Sequence, residues 1–126
     1  MDAETLKRRT KQFAHRCVKL ACSLPDTALC RHIRSQLIRS STSVPANYRA
    51  ACIAQSRPAF SSKICIVIEE TDETAFWIEF LIEEGIMSIE KCGDILEEAS
   101  GLIAIFVASR KTSRNNNKQY SIINSQ

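Results

Sequence analysis

Apolar side chains recur every three to four positions along almost the whole chain, the period of an α-helix, and nowhere alternate over the length of a strand. Turn signals cut this pattern into four stretches, each of which predicts one helix. The first runs from about Ala3 to Leu24, with Leu6, Phe13, Cys17, Leu20 and Leu24 on one face and Arg8, Lys11, His15 and Lys19 on the other. Leu24-Pro25-Asp26 stops it, because a proline ring cannot continue the hydrogen-bond ladder, and Asp26 is the expected N-cap of the next helix.

The second helix carries Leu29, Ile33, Leu37, Val44, Tyr48 and Ala51 on its buried stripe, while Arg31, Arg34 and Arg49 point outward. Gln36, Ser40 and Asn47 fall within that stripe and Ser43 on its border. Buried polar groups cost a few kcal/mol unless paired, so this row is expected to hydrogen-bond to a facing helix or to water. Pro45 sits mid-helix, yet the apolar register continues past it. A kink is therefore expected rather than an end, with the Ser41 and Thr42 hydroxyls available to the freed carbonyls.

Ser56-Arg57-Pro58 starts the third helix and Gly85 ends it in a left-handed cap, with Ile86 folding back. Phe60, Ile64, Val67, Ile68, Thr71, Ala75, Ile78 and Ile82 form its core stripe. Ile66, Phe76, Trp77 and Phe80 lie away from that stripe among Glu69, Glu73 and Glu84. A single small bundle covers only the first face, so the second is expected to be a subunit interface. Ser88 caps a fourth helix with Ile89, Cys92, Leu96, Ala99, Ile103 and Phe106 on its stripe. The period fades after Arg110, which divides the chain into a bundle over residues 1–110 and a flexible basic tail over residues 111–126. Four helices joined by short turns give an all-α, antiparallel up-down-up-down four-helix bundle.

Composition sharpens this picture in two ways. The net charge of +3 conceals a strong asymmetry: residues 1–63 hold 12 Lys and Arg against 3 acids, residues 64–108 hold Lys91 against 11 acids, and four cations follow. The six cysteines lie within helical patterns, none in a CxxC pair, and read as reduced thiols packed as small hydrophobes. The N-terminus is polar and no apolar run approaches a membrane span, so a cytoplasmic protein with no membrane partner is expected. His15 and His32 lack the ligand spacing of a zinc site, and no cofactor is expected.

The run from His32 to Leu81 resembles a known family. Gln36, Arg39, Ser40, Ser43, Ala46 and Asn47 match its QxxRSxxSxxAN pattern, and Glu70, Glu73, Thr74, Trp77 and Leu81 match its ExxETxxWxxxL pattern. This is the four-helix-bundle family of open reading frames in intervening sequences of bacterial 23S ribosomal RNA genes. Many members continue with a Glu and a Gly after the Asn; here Asn47-Tyr48-Arg49-Ala50-Ala51 lacks both. The resemblance implies a homopentameric ring and kinship with the accessory proteins of diversity-generating retroelements, which are basic pentamers that bind nucleic acid and a reverse transcriptase.

Glu70 and Glu73 near Trp77 have the look of an acid and base pair, but no nucleophile, phosphate loop or metal constellation accompanies them. They are expected instead to pair with Arg39 or with the Ser43 and Asn47 row, and the protein is read as non-enzymatic. Two functions fit the rest. In the first, Arg8, Arg9, Lys11, Arg16, Lys19, Arg31, Arg34, Arg49, Arg110 and Lys111 line outer surfaces that bind nucleic acid, RNA above all, through phosphates. In the second, the charges serve assembly and the oligomer is a scaffold for protein partners.

Overall fold

The computed structural model describes residues 1–124, with side chains through Asn115. Four α-helices span Ala3–Cys22 (α1), Ala28–Cys52 (α2), Arg57–Glu83 (α3) and Ile89–Asn124 (α4), and short turns join them. There is no strand among the described residues.

Each helix starts where a side-chain oxygen can satisfy a first-turn N–H. The Thr5 N–H donates to Asp2 Oδ1 at 2.7 Å, the Ala59 N–H to Ser56 Oγ at 3.1 Å and the Lys91 N–H to Ser88 Oγ at 3.3 Å. At α2 the cap is Thr27, which accepts from the Cys30 N–H at 3.1 Å, and not the expected Asp26. Asp26 lies one residue too early to reach that turn and instead accepts from Arg31 at 2.7 Å. Gly85 closes α3 at φ 72°, where the Ile86 N–H donates to the Leu81 carbonyl at 2.9 Å. A side chain at that φ is strained, so the glycine expected there is required.

Consecutive helices pack along their length, and α1 and α4 meet over a shorter stretch. Their shared core takes Leu6, Phe13, Cys17 and Leu20 from α1, and Ile33, Leu37, Val44 and Tyr48 from α2. From α3 and α4 come Ile64, Val67, Ile78, Leu81, Cys92, Ile95, Leu102 and Phe106. Burying each large aliphatic or aromatic side chain contributes about 1.5–3 kcal/mol, and Tyr48 lies on Phe106 with ring centroids 5.2 Å apart.

The observed arcs differ from the sequence stripes at both margins. Leu29 and Ile89 were expected inside but sit in first turns and are 40% and 54% exposed. Thr74 and Leu81 of α3 and Ile95 and Leu102 of α4 are buried although outside the stripes, because α3 touches both α2 and α4, and α4 both α3 and α1, so each buries a wider arc than one stripe. Nor does the last helix end near Arg110. It continues to Asn124, with Ser113 buried, and residues 125–126 of the expected tail lie outside the described residues.

Candidate functional site

Two polar regions flank α2, one against α3 and one against α1. In the first, Arg39 of α2 reaches across to both carboxylates of α3. Its guanidinium donates to Glu70 at 3.1 and 3.2 Å and to Glu73. Glu73 also accepts from the Trp77 indole N–H at 3.3 Å. Hydrogen bonds to Glu70 and Glu73 hold the Arg39 guanidinium above its ordinary pKa. Beneath this cluster, Ser40 and Thr74 share a buried hydrogen bond of 2.8 Å. His32 stacks edge-on against Trp77 at 5.6 Å.

The expected pairing of Glu70 and Glu73 with Arg39 is therefore present, and both glutamates are occupied by it. The rest of the polar row folds back on its own helix: Ser43 Oγ donates to the Arg39 carbonyl at 2.7 Å and Asn47 Nδ2 to the Ser43 carbonyl at 2.9 Å. Gln36, also expected in this network, is half-buried and makes no hydrogen bond among the described residues. On the outer side of the same seam Phe76, Trp77 and Phe80 stack on one another with centroids 5.0 to 6.4 Å apart. Phe76 is 50% exposed, while Trp77, Phe80 and Ile66 are half-buried within the single chain.

The second region is a groove of about 710 Å³ between α1 and α2. Lys7, Arg8, Lys11, Gln12 and His15 line one wall and Thr42, Pro45, Ala46 and Arg49 the other, with Glu4 at one end. The helix period explains the α1 wall, since Arg8, Lys11 and His15 follow at three- and four-residue steps and share a face. Lys7 donates to Glu4 at 3.1 Å; among the described residues no carboxylate lies within ion-pair distance of Arg8, Lys11 or Arg49. Like charges held close on two helices repel one another, so the groove favours an anion. No Phe, Tyr or Trp lines it, and its one aromatic ring is the His15 imidazole.

The cations named from sequence thus separate into distinct places. Arg8, Lys11 and Arg49 meet in the groove, joined by Lys7 and His15, which were not among the expected binding residues. Their signal was available as the i, i+4 continuation of Arg8 and Lys11 on α1. Arg16 and Lys19 are exposed farther along α1, and Lys111 is exposed on α4. Arg9 turns the other way and clamps Glu98 of α4 through bonds of 2.6 and 3.0 Å. Arg34 donates to the carbonyls of Ala21, Leu24 and Pro25 at 3.1, 2.8 and 3.3 Å and so closes the α1–α2 turn. Arg31 holds Asp26, and Arg110 approaches the Cys65 Sγ at 3.8 Å.

No group of His, Cys, Asp and Glu among the described residues could hold a metal ion, and no helix there is long and apolar enough to cross a membrane. The six cysteines are free thiols. Burial pushes the Cys17 thiol up to about 12 and raises that of Cys92, whereas Cys22 is exposed.

Four helices packed pairwise in chain order, with an Arg-carboxylate seam between the second and third, define a small four-helix-bundle protein. The family model for the 23S rRNA-intervening sequence protein matches residues 4–108, and the chain belongs to that family. It is also similar to a protein of unknown function from the S23 ribosomal protein family of Bacteroides thetaiotaomicron, whose crystal structure is solved at 1.70 Å. The two share 30% identity and a TM-score of 0.79 over 88% of this chain and 99% of that one. No curated protein matches the chain.

Proposed function

We propose that this protein is a non-enzymatic, homo-oligomeric adaptor that binds nucleic acid through the α1–α2 groove. The observation that carries the reading is the meeting of Lys7, Arg8, Lys11 and Arg49 in a groove whose lining holds a single acid, Glu4. A polyanion neutralises such a cluster and releases condensed counterions, which supplies affinity without sequence information. The bundle in this reading runs up-down-up-down; short turns support it, as does the pairing of His32 with Trp77 and of Arg39 with Glu70 and Glu73, in which numbers rise on α2 as they fall on α3. Copies assemble into a ring, with five members by family resemblance. The cationic outer face of α1 beyond the groove, where Arg16 and Lys19 are exposed, and the anionic, aromatic α3 edge around Phe76 are different patches, so contacts between them are head to tail and leave the groove open. Repetition around a ring multiplies a modest groove into a high-avidity surface.

A second reading keeps the oligomer and drops the nucleic acid, making the exposed Phe76 edge the docking face for a protein partner. Binding of a generic RNA, measured over a salt series, separates the two. Four groove cations predict a slope of log affinity against log salt of about −3 per protomer engaged. A protein that binds no RNA at low salt is the scaffold.

A further inference from the structure

The groove joins two kinds of cationic side chain. Lysine and arginine are charged throughout the neutral range, whereas imidazole is the side chain whose ordinary titration changes its charge between pH 5 and pH 8. Of the residues that line the groove, His15 alone is of the second kind. It is exposed on the α1 wall, one turn beyond Lys11 and two beyond Arg8, with Arg49 on the facing α2 wall. Lys19 follows it by one more turn. Glu4, the single acid of the lining, lies about 16 Å back along α1 and accepts from Lys7 at 3.1 Å. The other elements bring no acid to this wall. On α2, Arg39 is turned into the seam with Glu70 and Glu73; α4 meets α1 on the Arg9 side, where Arg9 holds Glu98; and α3 does not touch α1 among the described residues. The neutral polar groups of the lining are Gln12 and Thr42, and the Thr42 hydroxyl already donates to the Ile38 carbonyl at 2.7 Å.

We infer that His15 is a phosphate-binding residue of the groove in its imidazolium form, so that the protein takes up a proton as it binds nucleic acid and binds more tightly as pH falls from 8 to 5.5. The inference rests on the proposed function and adds a regulation to the same site. A phosphate oxygen beside the ring favours the charged form, so the bound complex keeps the proton at a pH where the free groove releases it. Linkage requires the converse: a proton gained by His15 raises the affinity for phosphate. The groove then offers four charges to a backbone in mild alkali and five in mild acid.

The test uses the full chain and oligouridylate, a single-stranded RNA whose bases gain no proton in this range. Binding is measured over a salt series at pH 5.5 and at pH 8. The natural chain is expected to bind about 5-fold tighter at pH 5.5, with a salt slope steeper there by about 0.7, the share of one added phosphate contact. A merely structural histidine would leave that slope alone. His15→Gln is expected to bring the ratio of affinities at the two pH values close to 1. His15→Arg, charged at both, should also bind equally at both, and tightly. His32→Gln, which removes the histidine stacked on Trp77 in the α2–α3 seam, should keep the natural response. RNA binding that does not change with pH overturns the inference and leaves nucleic-acid binding standing. A response that survives His15→Gln, or that disappears with His32→Gln, overturns it as well. Failure to bind oligouridylate at either pH at low salt sinks the proposed function and the inference with it.

Discussion

The seam between α2 and α3 and the groove between α1 and α2 are built from the same kinds of residue on opposite sides of one helix, and they end in opposite states. Arg39 faces two glutamates and is consumed by them, fixing the register of two helices. Arg49 faces Lys7, Arg8 and Lys11, and among the described residues no carboxylate lies within ion-pair distance of it. A cation on a helix surface is therefore not by itself a binding residue or a structural one. The facing helix decides, because an ion pair with an acid across a helix interface removes the charge from the inventory available to a ligand.

The largest expected effect comes from inverting the groove. Arg8→Glu with Lys11→Glu should lower RNA affinity on the order of 100-fold and flatten its salt dependence, with thermal stability held. A binding titration that shows no change in the double variant removes the groove as the site. The reverse pattern is expected of the seam. Thr74→Val breaks the buried bond to Ser40 and leaves that hydroxyl only its 3.4 Å contact to the Leu37 carbonyl, which should cost about 1.5 kcal/mol in urea unfolding while RNA binding is untouched.

Alkali then separates the two faces of α1. The Cys17 thiol titrates near 9.0 when exposed and at about 12 in the fold, so the folded state holds its proton longer. That contribution is complete below pH 9 and is lost as pH rises toward 12. At pH 10 stability should fall by about 1.4 kcal/mol from this group, with Cys92 adding in the same direction. Denaturant melts of Cys17→Ala at pH 7 and pH 10 should show that share of the loss gone.

The smallest effect belongs to Arg39→Ala. With the Arg39 side chain 47% exposed, solvent screens much of the pair energy, and about 1 kcal/mol, or a few degrees in Tm, is expected. RNA affinity in this variant should match the natural chain. A large loss of binding there would move the interface from the groove to the seam.

How far the sequence carried depended on how local each feature is. The four helices, a cap at Ser56 or its neighbour Arg57, the cap at Ser88 and the closure at Gly85 are legible because they rest on neighbours within about four residues. The cap at Thr27 in place of Asp26 was missed by one residue, the usual precision of a helix start. The continuation of α4 past Arg110 was invisible to a search for apolar period, since the polar sequence from Lys111 to Gln119 has none to show. Arg39 with Glu70 and Glu73 was legible only as one of several pairings, alongside the Ser43 and Asn47 row that in fact bonds within α2.

From the order of its residues alone this protein was bound to be helical, four-fold in its segments and basic before acidic, because period, caps and charge are properties of the chain itself. Which cations are spent and which are left could be settled only by packing. Arg9 and Arg8 are adjacent in sequence, yet a step of about 100° around α1 points one at Glu98 and the other into the groove. Tertiary structure chose their roles, because an ion pair across a helix interface needs two helices to be brought within a few ångströms, and no single helix carries that information.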